Sequence, residues 1–199
     1  MPRRGQYVNG KRANRRSNAA VSFRHNDGIK TLPLIVTREA SRADFDRYFD
    51  ETFEELSPAS RHMRFFTPVR ELPKAVKERL SDVDGVVNAA LLAFDAARLA
   101  EDHPEGKPVG VARWMAHTAG VEPAGPPELS VTVIDEYQGM GVGTRLMDDL
   151  LALARQRGLR RIYADVLREN VPMRALINRY RSVVQPSGDP IVVRYRVDV

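Results

Sequence analysis

The chain contains no cysteine among its 199 residues. That excludes disulfide bonds, thiolate metal sites and a cysteine acyl-enzyme. A second absence is any long apolar run: none approaches the roughly 20 residues of a membrane span. The basic N-terminus has no hydrophobic signal core behind it, so no membrane partner is expected and a cytoplasmic location is the default expectation. The apolar content of 43% is that of a globular protein, and the length suits one domain with a substantial core.

Charge divides the chain unevenly. Residues 1–28 hold Arg3, Arg4, Lys11, Arg12, Arg15, Arg16 and Arg24 against Asp27 alone, a balance of +6 within a total of +5. The remainder is therefore close to neutral. Glycine, asparagine and serine fill the rest of this segment without apolar period, which reads as a flexible tail over 1–28 ahead of a domain over 29–199. Such a tail is foremost a solubilising extension; the alternative is an arm for nucleic acid or another acidic partner.

The most informative stretch is Val131-Thr132-Val133-Ile134-Asp135-Glu136-Tyr137-Gln138-Gly139-Met140-Gly141-Val142-Gly143-Thr144-Arg145-Leu146. A β-branched run predicts a strand, and Asp135-Glu136 predicts a turn. Leu146, Met147, Leu150, Leu153 and Ala154 recur at helical spacing, predicting a helix over about 142–157. Glycines at 139, 141 and 143 lie between strand and helix. The first amides of a helix lack intrahelical partners and carry partial positive charge. Glycine lets those amides close around phosphate oxygens. The loop therefore suits a phosphate or pyrophosphate ligand, although a glycine-rich turn can be only a turn.

Two familiar phosphate loops do not fit. A P-loop ends in Gly-Lys-Ser/Thr, whereas Gly143 is followed by Thr144-Arg145. A dinucleotide loop needs a third glycine where Thr144 stands. Asp165 could serve as its ribose-binding acid, but too little chain follows for a doubly wound domain. Gln138-x-x-Gly141-x-Gly143 instead resembles the Q/R-x-x-G-x-G/A signature of the GNAT superfamily of N-acetyltransferases.

The rest of the chain predicts a first strand over 29–36, interrupted at Pro33, and a helix beginning in the polar segment 37–44. Phe45, Tyr48, Phe49, Phe53 and Leu56 form an aromatic stripe at helical spacing, read first as core. Ser57-Pro58 is a helix start, and another helix is expected over 73–80. His62 is read as a surface or cap histidine rather than a base. Strands are expected at 86–94 and 108–116, a loop at 118–127, and further strands at 161–166 and 191–197. On the strand opened by Glu128, alternation puts Glu128, Ser130 and Thr132 on one face. A carboxylate at the mouth of an apolar pocket has its pKa raised by desolvation, which suits a general base.

The resemblance extends beyond the loop. Leu56 to Phe66 resembles a stretch of bacterial Pat-type protein lysine acetyltransferases, a branch of this superfamily. Glu128 matches the catalytic Glu of that branch, with Pro127 replacing the usual alanine. Glu169-Asn170 with Met173, Leu176 and Arg179 resembles the family's helix that approaches the cofactor. The resemblance implies an α/β fold of the α+β type: a mixed, mostly antiparallel twisted sheet splayed at the cofactor strand. It implies acetyl-CoA as co-substrate and no metal. Its cofactor contacts would be Val131, Thr132, Val133, Gln138, Gly139, Met140, Gly141, Val142, Gly143, Thr144, Asn170 and Met173. Direct transfer to a primary amine follows, with a protein lysine leading, a small-molecule amine second, and a non-catalytic acyl-CoA or nucleic-acid module as the rival. Two family features are missing. Ile177 stands where many relatives carry a general-acid Tyr, with Tyr180 on another part of the helix, and Arg181-Ser182 replace the usual Gly-Phe ending.

Overall fold

The computed structural model describes residues 33–116, 118, 119, 122, 123 and 125–199; the basic segment 1–28 lies outside the described residues. Among the described residues, nine strands and five helices follow in the order β1 (Ile35–Glu39), α1 (Arg42–Glu54), α2 (Pro58–Phe65), α3 (Lys74–Ser81), β2 (Asn88–Asp95), β3 (Lys107–Met115), β4 (Thr118–Ala119), β5 (Glu122–Pro123), β6 (Glu128–Val133), α4 (Val142–Gln156), β7 (Arg161–Leu167), α5 (Val171–Ile177), β8 (Ser182–Gln185) and β9 (Val192–Asp198).

Seven strands form one sheet in the order β1-β2-β3-β6-β7-β9-β8. Every pairing is antiparallel except that of β6 with β7. Strand β2 is buried along its whole length, as a strand covered on both faces must be. Helix α4 supplies one cover: Val142, Leu146, Met147, Leu150, Leu151, Leu153 and Ala154 are all buried. Each large side chain among them contributes about 1.5–3 kcal/mol by leaving water.

Helix α1 covers the other face through Phe45, Tyr48 and Phe53. The stripe read as core is core, with the Phe49 and Phe53 rings stacked 6.4 Å apart. A capping box opens α1: the Ser41 side chain accepts from the Asp44 amide, and the Asp44 carboxylate accepts from the Ser41 amide at 2.7 Å. Arg38 grips Asp44 bidentately at 2.9 and 2.6 Å. At α2, Ser57 caps Ser60 N–H at 3.1 Å, with Pro58 at the first position.

Three expectations change. The first strand is Ile35–Glu39, so Thr37, Arg38 and Glu39 pair with Ala93, Leu92 and Leu91 instead of starting a helix. An edge strand with a half-solvated face admits such polar residues, and residues 29–32 lie outside the described region. Within the loop expected at 118–127, β4 and β5 form a two-residue ladder. Strand β8 was not anticipated: its four residues, with Val183 and Val184 exposed, carry too short a pattern to read without β9.

Candidate active site

Strand β6 divides its two edges unequally. On one side it pairs with β3 along its full length, Gly110↔Val133 to Met115↔Glu128. On the other it meets β7 at a single residue pair, Glu128↔Tyr163, supported by Tyr163 N–H donating to Pro127 O at 2.9 Å. Beyond Glu128 the strands part, and the Ser130 to Val133 edge is left facing a groove. The groove has a volume of about 700 Å³. Its walls are β6, the glycine loop with the first turn of α4, the end of β7, α5 and α2.

At the end of β6 a 3₁₀ turn, Asp135–Tyr137, leads into the loop. Gly139 and Gly141 adopt φ of +73° and +87°, a left-handed conformation that glycine takes without strain. Gly141 is the N-cap of α4, and the first helical closure is Arg145 N–H to Gly141 O at 3.0 Å. The amides before it have no intrahelical acceptor and lie at the positive end of the helix dipole. Backbone N–H groups in a turn of this kind suit an anion. Arg179, beyond α5, lines the same groove and adds a cation.

Val131, Thr132, Val133, Gln138, Gly139, Gly141, Gly143, Thr144, Asn170 and Met173 all line the groove. Val142 points into the core, 1% exposed, and Met140 is not part of the lining. Asn170 caps α5, its Oδ1 accepting from Met173 N–H at 3.1 Å. Gln138 turns inward: its Nε2 donates to Val133 O at 3.0 Å and to Ser60 Oγ at 3.1 Å. It therefore fixes the end of β6 to α2.

Helix α2 is anchored on both walls. Ser57 N–H and Ser60 Oγ–H donate to the two Asp135 oxygens at 2.9 and 3.0 Å. Burial works to raise the Asp135 carboxyl, but these bonds outweigh it and hold it below the usual carboxylate range. On the opposite wall His62 Nε2 pairs with Glu169 Oε1 at 3.1 Å. His62 is thus a tie across the groove, and its Nδ1 is buried without a partner. No local pattern reveals these links, because each joins residues 75 or more positions apart.

Glu128 lines the groove at the fork between β6 and β7, half-buried, with Ser130 and Thr132 beside it. Arg64 of α2 lines the same space, and its charge feels that of Glu128. Ile177 is fully buried in the core. Tyr180 donates to Asp148 Oδ1 at 2.8 Å, tying the end of α5 to α4. Burial and that carboxylate push its pKa up. Tyr180 is not part of the groove lining. Among the described residues, no cluster of three or more His, Asp or Glu could hold a metal ion.

In this groove a strand leaves its parallel neighbour beside a glycine-capped helix, and comparison with known proteins decides the family. The profile of the acetyltransferase (GNAT) family matches residues 49–181. The chain belongs to this acetyltransferase family.

Its relatives support the Pat-type branch of the GNAT family. It is 34% identical over 132 residues to acetyltransferase PA5475 of Pseudomonas aeruginosa, 66% of this chain and 66% of that protein. It is 32% identical over 136 residues to acetyltransferase Pat of Mycolicibacterium smegmatis, covering 68% of this chain but 38% of the relative. The chain thus spans just under two thirds of the first relative and well under half of the second. Among solved structures, the GNAT domain of S. lividans PAT superposes with a TM-score of 0.69 at 28% identity, covering 82% of this chain and 89% of that domain. GNAT membership makes the groove the active-site candidate.

Proposed function

We propose that this GNAT protein is an acetyl-CoA-dependent N-acetyltransferase acting on a primary amine, with Glu128 as general base. The observation that carries the reading is the fork itself. Strand β6 leaves β7 after the Glu128↔Tyr163 pair, so an open strand edge, a left-handed glycine loop at one end and a carboxylate at the other share one groove.

The residues fit the co-substrate. The loop at Gly139–Gly143 and Arg179 would take its phosphates, and the free edge of β6 would pair with its amide-bearing arm. Backbone N–H groups near Val133 would face the thioester oxygen as negative charge develops there. Glu128 would accept a proton from the incoming ammonium, directly or through one water. The amine nitrogen then attacks the carbonyl carbon and loses its second proton to solvent as the C–S bond breaks, and the coenzyme leaves as a thiol. With Ile177 in the core, no side chain at that position protonates the leaving sulfur, so the proton comes from solvent.

A protein lysine is the preferred acceptor on the resemblance to the Pat-type branch, with a small-molecule amine second. The test is release of free thiol when the full chain meets acetyl-CoA and either lysine-containing peptides or free amines. Acceptor-dependent thiol release with a matching mass gain of one acetyl group supports the reading. Absence of both across the two acceptor classes, in a protein that binds acetyl-CoA, would make it a binding module.

A further inference from the structure

The face of β6 that carries Ser130 and Thr132 also bounds a second, smaller cavity of about 60 Å³. It lies against α1, and the two cavities share Arg64, Ser130 and Thr132. The small cavity therefore lies next to the groove, on the strand where the proposed function puts the thioester.

Its wall contains a cation that the fold does not account for. Arg113 of β3 is 4% exposed. Its Nη2 donates to two neutral acceptors, Leu80 O at 2.6 Å and Asn88 Oδ1 at 2.8 Å. The Phe45 ring lies 5.2 Å from the guanidinium carbon. Its Nε is buried with no hydrogen-bond partner. Among the described residues no carboxylate hydrogen-bonds or ion-pairs with it. Burial, and then the charges of Arg64 and Arg79, push its pKa down to about 9, so it stays mainly protonated at neutral pH. A buried cation without an anion is unfavourable unless a ligand supplies the charge. Arg64, which burial also pushes down, brings a second guanidinium to the same cavity.

We propose that this cavity is an acyl-selecting pocket for a short acyl group ending in a carboxylate, held by Arg113 and Arg64. The proposal rests on the acyltransferase reading above and narrows its donor to a CoA ester of a short dicarboxylic acid. An acyl chain tethered at its thioester can enter a small cavity beside β6, whereas the acceptor amine has to arrive from solvent. The reaction balances as before. The amine nitrogen gains the acyl carbon, the C–S bond breaks, the amine proton passes to Glu128 and on to solvent, and the coenzyme leaves as a thiol. The terminal carboxylate is unchanged and ends on the product.

Succinyl-CoA and butyryl-CoA test this directly, since their acyl chains have equal carbon number and differ in the terminal group. Calorimetry on the full chain without acceptor is expected to show succinyl-CoA bound about tenfold tighter, the scale of one charge-assisted hydrogen bond. The ratio is expected to fall to about one in Arg113→Met, a substitution that replaces a buried charge with an apolar chain of similar length. Arg64→Met, on the half-buried α2, provides a second variant that leaves the β3 core untouched. If acetyl-CoA binds while the wild type gives succinyl-CoA no advantage, the pocket proposal is wrong and the acetyltransferase reading stands. A ratio unchanged in both variants also overturns it. If none of the three esters binds, both readings fall.

Discussion

Gly143→Glu separates folding from binding in a way that the glycine loop makes calculable. Gly143 is the second residue of α4, and its backbone is outside the left-handed region. A Cβ there would lie 3.5 Å from Leu176 Cδ2 and 3.9 Å from Val133 Cγ2, which is ordinary contact. Replacing a helical glycine with a good helix former stabilises by about 0.5–1 kcal/mol, and an acid in the first turn adds about 0.3–1 kcal/mol through the dipole. The variant should therefore melt roughly 2–4 °C above the parent for each 1 kcal/mol gained. Binding should move the other way. A carboxylate about 5 Å from a phosphate charge, at an effective dielectric of about 20, opposes it by roughly 3 kcal/mol before salt screening. Calorimetry with acetyl-CoA should show Kd weakened about 10- to 100-fold. Gly143→Gln keeps the helical gain without the charge and should lose less. Gly141→Glu differs again: φ of +87° makes any side chain strained there, by about 1–2 kcal/mol, so both stability and affinity fall. A folded, stabilised Gly143→Glu protein with wild-type affinity would refute the assignment of this loop to phosphate.

Glu128→Gln should retain acetyl-CoA affinity and lower the rate constant by about 10²–10⁴ at neutral pH, with partial recovery as rising pH deprotonates the acceptor; near-wild-type turnover across that range would remove Glu128 from the mechanism. Asp44→Asn should destabilise by roughly 1 kcal/mol by weakening both the α1 cap and the Arg38 pair. Chiefly through its Arg38 hydrogen bonds, the folded Asp44 carboxyl lies below its ordinary value. Its contribution is therefore full above the unfolded pKa and lost as pH falls through the folded one, so the gap between wild type and variant in denaturant melts should close in acid; a gap that widens there would count against this. Leu146→Ala, at a fully buried α4 position, should cost about 2–5 kcal/mol in the same melts.

The structure of this protein was legible wherever it is local. Gly139 and Gly141 need only their own backbone to turn left-handed, and α4 follows because its apolar spacing and its glycine start agree. Ser57-Pro58 and Asn170 cap helices within three residues of themselves, so their positions were readable too. Period-two alternation alone put Glu128, Ser130 and Thr132 on one face. What sequence could not decide is what those faces meet. Strand β1 took Thr37, Arg38 and Glu39 because β2 offered an edge in that register, and β8 exists only against β9. The fork that makes the groove depends on β6 pairing six residues with β3 and one with β7. Gln138 lines the groove but commits its amide N–H to Val133 O and Ser60 because α2 docks there. Arg64 and Arg113 lie 49 residues apart and share a cavity only through the packing of α2 against the sheet. Capping and periodicity act over one turn or one pleat, whereas strand register and buried charge are settled by segments distant in the chain, and only the folded structure brings those together.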